Sequence, residues 1–159
     1  MKKIIVGYGN PDRGDDGVAF KLLQQLLKFT GNEKMDLLSS DLIPLSTDLD
    51  LWFNLQLLPE FADTIANYKQ ALFVDAHTGE IEEDIQYIPI EPNYQSSPFT
   101  HHFTPASCLA LAQEIAGNYP DSWMLSIRGY RFDFDQNLSP KTEQLLLKAV
   151  QMIKDIFLE

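Results

Sequence analysis

Three short segments carry side chains whose types and spacing could do chemistry together. The first, Gly7-Tyr8-Gly9-Asn10-Pro11-Asp12-Arg13-Gly14-Asp15-Asp16-Gly17, packs four glycines, an asparagine and two consecutive acids into one turn. The second, Phe73-Val74-Asp75-Ala76-His77-Thr78, ends an apolar run on an acid. The third, Thr100-His101-His102-Phe103-Thr104-Pro105, holds two adjacent histidines in a chain with only 3. Asp16, Asp75 and either His101 or His102 make a carboxylate–carboxylate–imidazole set. Such a set suits a hard or borderline divalent ion (nickel, manganese, zinc or iron) and leaves positions for water or substrate. It could equally run acid–base chemistry without metal. Spacing alone leaves both readings open, because the segments meet only if the fold joins them.

The glycine-rich turn admits other readings. A dinucleotide fingerprint needs G-x-G-x-x-G, but Asp12 stands at the third glycine position and Asp15 and Asp16 follow where a pyrophosphate would bind. The adjacent negative charge repels phosphate. A plain strand-to-helix turn with acidic caps accounts for Asp15, and less well for so many glycines beside Asn10 and Asp16. His77 is expected as a neighbour of Asp75 rather than a ligand. Cys108 falls on an apolar helical stripe and reads as a small buried hydrophobe. Arg128 and Arg131, flanking Gly129-Tyr130, either face the same rim and meet a carboxylate or pair with surface acids.

The elements that must position these groups follow from periodicity. Lys3 to Tyr8 reads as a buried strand ended by Gly9-Asn10-Pro11. A helix is predicted from about Asp15, with Ala19, Leu22, Leu23 and Leu26 as its stripe. Another is predicted from Pro59 to Tyr68, then a strand at Ala71 to Val74 and a further strand at Asp84 to Ile90. Thr104-Pro105 caps a helix with Cys108, Leu111, Ala112 and Ile115 on its stripe. Trp123 to Ile127 reads as a late strand, and Ser139-Pro140 caps the last helix. Met35 to Gln56 has no clear boundaries. Strands alternating with helices predict a single α/β domain over residues 1–159, a phosphorylase/hydrolase-like fold with a mostly parallel twisted sheet and helices on both faces. Ligands in such sheets bind beyond the carboxyl ends of the strands, where both Asp16 and Asp75 fall.

Composition narrows the partners. With 23 acids against 12 bases the net charge is −11, which repels a phosphate backbone and disfavours nucleic acid. One cysteine excludes an internal disulfide and a cysteine-held zinc. No apolar run has the length of a membrane span, and Ile4-Ile5-Val6 is too short for a signal-peptide core, so a cytoplasmic protein is expected.

The opening I-I-V-G-Y-G-N-P-D-R-G-D-D-G resembles that of the hydrogenase maturation endopeptidases, which run G-x-G-N, a short turn, then D-[DE]-G. F-V-D-A-H-T, T-H-H-F-T-P-A-S-C-L-A-L-A and G-Y-R-F-D-F-D-Q-N-L-S-P resemble that family's later segments in the same order, and Q-L-L-P-E-F-A-D-T-I resembles the helix before its middle strand. The resemblance implies a peptidase that removes the C-terminal extension of a nickel-iron hydrogenase large-subunit precursor after nickel insertion. It implies Asp16, Asp75 and His101 as metal-contacting positions, Asp16 and Asp75 as catalytic, and nickel supplied by the substrate rather than held by the enzyme. Two departures stand out: position 16 is Asp rather than Glu, one methylene shorter, and Met35 to Leu55 matches no family pattern. A non-catalytic nickel-binding assembly module fits the same residues. V-G-Y-G-N-P is also close to the V-G-L-G-N-P of peptidyl-tRNA hydrolases, but no histidine precedes His77 and the charge is wrong for tRNA.

Overall fold

The computed structural model describes residues 2–94 and 103–158. Its chain runs β1 (Lys3–Tyr8), α1 (Val18–Phe29), β2 (Ile43–Ser46), β3 (Leu49–Asn54), α2 (Phe61–Ile65), β4 (Gln70–His77), β5 (Ile85–Ile90), α3 (Pro105–Ala116), β6 (Asp121–Arg128) and α4 (Pro140–Phe157). One six-stranded sheet has the order β2-β3-β1-β4-β6-β5. The four central strands are parallel, and β2 and β5 run antiparallel at the two edges. This is the α/β arrangement expected from the alternation of strands and helices.

Side-chain alternation divides the core in two. Ile5 of β1 and Leu72 and Val74 of β4 pack under α1 and α4, with Leu22, Leu23 and Leu26 of α1 fully buried there. Each such side chain contributes about 1.5–3 kcal/mol of transfer free energy. Ile4 and Val6 of β1 and Phe73 of β4 point the other way, against α2 and α3, together with Cys108 and Leu109. Trp52 of β3 stacks on Phe61 of α2 at 4.0 Å between ring centroids. Among the described residues no helix is long and apolar enough to cross a membrane.

Several boundaries differ from the sequence reading. A 3₁₀ turn at Gly14–Gly17 precedes α1, so Asp15 and Asp16 lie in that turn and the α-helix starts at Val18. β4 extends to His77, which places Asp75 inside the strand rather than after it. The predicted helix over Pro59 to Tyr68 shortens to five residues. β6 spans Asp121–Arg128, longer than predicted at both ends. Within Met35 to Gln56, β2 and β3 form a hairpin that extends the sheet beyond β1. β3 obscures its own signal, because Leu49, Asp50, Leu51, Trp52 and Phe53 are all buried. Its Asp50 is a buried acid satisfied by Lys2 Nζ at 3.1 Å and the Tyr68 hydroxyl at 2.6 Å.

Candidate functional site

β1 and β4 are neighbouring parallel strands in the register Val6–Phe73 and Gly7–Val74. One step further along, Tyr8 and Asp75 stand side by side on the face that carries α2 and α3. The loop leaving β1 then has to fold Asp16 back over the strand end. Gly9 permits this with φ +134°, and a Cβ there would lie 2.2 Å from the Asp16 carbonyl oxygen, which no other residue could accommodate. The Asn10 amide donates to Asp16 Oδ2 at 2.7 Å, and the Asp16 amide donates to the Arg13 carbonyl at 3.2 Å. These bonds hold the carboxylate at the rim.

Asp16 and Asp75 consequently open on one cavity of about 310 Å³ at the carboxyl ends of β1 and β4. Tyr8, Gly9, Leu55, Gln56, Leu57 and Phe103 to Pro105 at the start of α3 complete its described lining. The Thr104 hydroxyl caps that helix by accepting from the Ser107 amide at 3.1 Å. No lysine or arginine lines the cavity among the described residues. Two carboxylates therefore share one cavity with no counter-charge among its described lining residues.

That arrangement perturbs Asp75. Burial pushes its carboxyl up to about 8; the Ala76 amide, donating to Oδ1 at 2.8 Å, opposes the shift, and the nearby Asp16 charge adds to it. The neighbouring Tyr8 hydroxyl also favours the ionised form. Tyr8 itself is pushed well above the usual phenol range, first by burial and then by the Asp75 charge. At neutral pH Asp75 thus carries a proton that an arriving cation could displace. The set is suited to taking up a divalent metal or to exchanging a proton near pH 8.

Other candidates take different roles. Asp15 is fully buried and faces away from the cavity. It accepts from the amides of Tyr130 at 2.7 Å and Arg131 at 3.0 Å, and from both the amide and the hydroxyl of Ser139. It anchors the loop between β6 and α4 instead of capping its own helix. Gly129 makes room for it, since a Cβ there would sit 2.8 Å from the Asp15 Cβ. His77 is buried with both ring nitrogens engaged: the Gly79 amide donates to Nδ1 at 3.2 Å, so Nε2 carries the proton and donates to the Glu83 carbonyl at 3.0 Å. It is a structural neighbour, as expected.

Arg131 pairs with Asp135 at 3.3 Å and Arg128 lies 4.7 Å over the Tyr130 ring, so neither reaches the cavity. Cys108 is buried, which pushes its thiol up to about 12 and keeps it out of nucleophilic chemistry. His101 and His102 lie outside the described residues. Among the described residues no three His, Cys, Asp or Glu side chains cluster as a metal-holding group. Tyr8 is a cavity residue that the sequence does not single out. Its signal is the two-residue alternation from Ile4 and Val6, which needs the pairing of β1 with β4 to acquire meaning.

No family model matches the chain, and no curated protein matches it either. Solved structures do match. The hydrogenase maturating endopeptidase HybD from Escherichia coli aligns over 98% of this chain and 91% of its own, with a TM-score of 0.70 and 14% identity. This chain has the fold of the nickel-iron hydrogenase maturation proteases. HycI from Thermococcus kodakarensis aligns over 99% of this chain and 93% of its own, with a TM-score of 0.68 and 20% identity. HybD from the same organism gives a TM-score of 0.61 at 14% identity over 98% of this chain and 99% of its own. The maturation-protease fold is thus matched almost end to end while most side chains differ. Each site residue here rests on its own geometry.

Proposed function

We propose that this protein is a cytoplasmic endopeptidase that removes the C-terminal extension of a nickel-iron hydrogenase large-subunit precursor once nickel is in place. The observation that carries this reading is the pair Asp16 and Asp75, facing one cavity that no lysine or arginine lines among the described residues. The fold neighbours named as hydrogenase maturation proteases support the assignment of the substrate.

In this reading the nickel belongs to the precursor and is both the recognition signal and a Lewis acid. Carboxylate oxygens and imidazole are ordinary donors for a borderline ion of this kind. Asp16 and Asp75 bind it through the oxygens left free by the Asn10 and Ala76 amides. His101 is the third donor. That role rests on the resemblance of T-H-H-F-T-P to the family's histidine segment. Charge from the incoming metal favours the ionised form of Asp75, so binding releases its proton. A water polarised by nickel or by a carboxylate attacks the scissile carbonyl, and the proton it gives up passes to the departing amine.

The test is incubation of the purified protein with nickel-loaded and nickel-free precursor, read by intact mass. Loss of a C-terminal peptide from the loaded precursor alone is expected. Binding without cleavage would instead mark a nickel-binding assembly module, and cleavage of both forms would remove nickel as the signal.

A further inference from the structure

Phe134 stands 83% exposed on the loop between β6 and α4, more than any other large apolar side chain among the described residues. A single exposed apolar residue is ordinary on a protein surface, but the loop holds this one in a fixed place. Phe132, two residues earlier, is half-buried with its ring against Gly129, and Leu138, four residues later, packs against the core under α4. Between those anchors Asp135 is fastened to the turn that presents Asp16. Its carbonyl accepts from the Gly14 amide at 2.7 Å, and its amide donates to the Asp12 carbonyl at 3.0 Å. Arg13, on that same turn, places its guanidinium 5.9 Å from the Phe134 ring centroid. No carboxylate pairs with Arg13 among the described residues. The Arg13 carbonyl in turn accepts from the Asp16 amide at 3.2 Å. The aromatic–arginine pair thus shares one hydrogen-bonded frame with a carboxylate of the cavity.

We infer that Phe134 and Arg13 form a docking point for the precursor outside the cavity, taking an apolar depression edged by a carboxylate on its folded surface. The inference rests on the endopeptidase reading for the identity of that partner. A cavity of about 310 Å³ holds only a few side chains, whereas a specific protein–protein contact covers about 800 Å² on each partner. Recognition of a folded precursor therefore has to extend over the rim around the cavity, where the turn carrying Arg13 and the loop carrying Phe134 meet. Aromatic and arginine side chains dominate such contacts, and a loop already fixed in place loses little freedom on binding. Arg13 supplies the charge. On a chain of net charge −11 it is a cation without an internal ion-pair partner among the described residues, and it selects a carboxylate on the incoming surface. Neither side chain lines the cavity, so both act on binding and not on the chemical step.

Binding and processing of nickel-loaded precursor by the full-length protein test this, with Phe134→Ala, Phe134→Tyr and Arg13→Gln beside the parent. Phe134→Ala is expected to weaken binding and raise KM at least about tenfold, while kcat stays within about threefold. Phe134→Tyr keeps the ring and should stay within about threefold of the parent in both. Arg13→Gln should weaken binding about three- to tenfold at low salt and flatten its dependence on salt concentration. Parent-like binding by Phe134→Ala, a loss of kcat with KM unchanged, a parent-like salt dependence in Arg13→Gln, or no precursor binding by the parent would each overturn the inference. So would a parent dimer that Phe134→Ala splits, which would assign the side chain to a second copy of this chain. If the parent cleaves loaded precursor and Phe134→Ala matches it, the docking point falls and the endopeptidase reading stands. If precursor binds in a Phe134-dependent way and no peptide is released, the endopeptidase reading falls and the docking point stands.

Discussion

Asp15 and Ser139, 124 residues apart in the chain, are joined twice: the Ser139 amide donates to Asp15 Oδ1 at 2.7 Å and its hydroxyl to Oδ2 at 2.6 Å. Ser139 is also the N-cap of α4. A single buried carboxylate therefore ties the turn that presents Asp16 to the helix that covers the opposite face of the sheet.

Asp15→Ala should accordingly be among the more damaging substitutions outside the cavity. It removes the acceptor of the buried Ser139 amide and of the part-buried Tyr130 and Arg131 amides. With about 1–3 kcal/mol for an unsatisfied buried donor, a total loss of about 3 kcal/mol or more is expected, read as a drop in the urea midpoint. The loss should depend on pH. Burial alone would raise the Asp15 carboxyl, but the Ser139 hydroxyl and the three amides outweigh it and hold the group below its usual range. Its contribution is then present above about pH 4 and lost as pH falls through the lowered native value. The substitution should flatten the acid limb of the stability profile; an unchanged acid limb would contradict the assignment.

Asp75 has the opposite sign. Its native carboxyl titrates at about 8, against about 3.9 in an unfolded chain. Between those values the native state binds more protons than the unfolded one, so this group's stabilisation is complete below about pH 4 and fades as pH rises through about 8. Asp75→Asn cannot ionise and still accepts from Ala76. Its melting temperature should match the parent near pH 4 and exceed it near pH 8, while precursor processing is lost. A parallel pH profile for the two proteins would show that Asp75 ionises normally.

The proton on Asp75 also has a signature in binding. At pH 7 the carboxyl is mostly protonated, and coordination to the precursor's nickel requires the carboxylate. Calorimetry in buffers of different ionisation enthalpy should show nearly one proton released per nickel-loaded precursor bound, and almost none with Asp75→Asn. A heat independent of buffer would place the metal elsewhere.

The legible parts of this fold are those whose signal is local. The strand at Lys3 to Tyr8, the stripe of α1 and the Thr104 and Ser139 caps are written within a few residues of where they act. Those local signals suffice to put Asp16 and Asp75 on one rim of the sheet. The rest needs partners distant in sequence. β3 hides because its buried Asp50 breaks an apolar run and is satisfied from Lys2 and Tyr68. Asp15 reads as a cap because its donors come from 115 to 124 residues away. Tyr8 reads as strand filler unless β4 lies beside β1.

The histidine doublet is separable by substituting each position singly. The reading built on Asp16 and Asp75 requires a third donor, and an imidazole there adds a nitrogen ligand that a borderline ion such as nickel favours over another carboxylate. His101→Ala should lower processing of nickel-loaded precursor at least about a hundredfold, the cost of removing a ligand exceeding that of loosening one. His102→Ala should stay within about threefold. Inversion of the two results would move the ligand by one position and keep the three-donor scheme. If both variants process normally, imidazole is not a donor and the three-donor scheme falls.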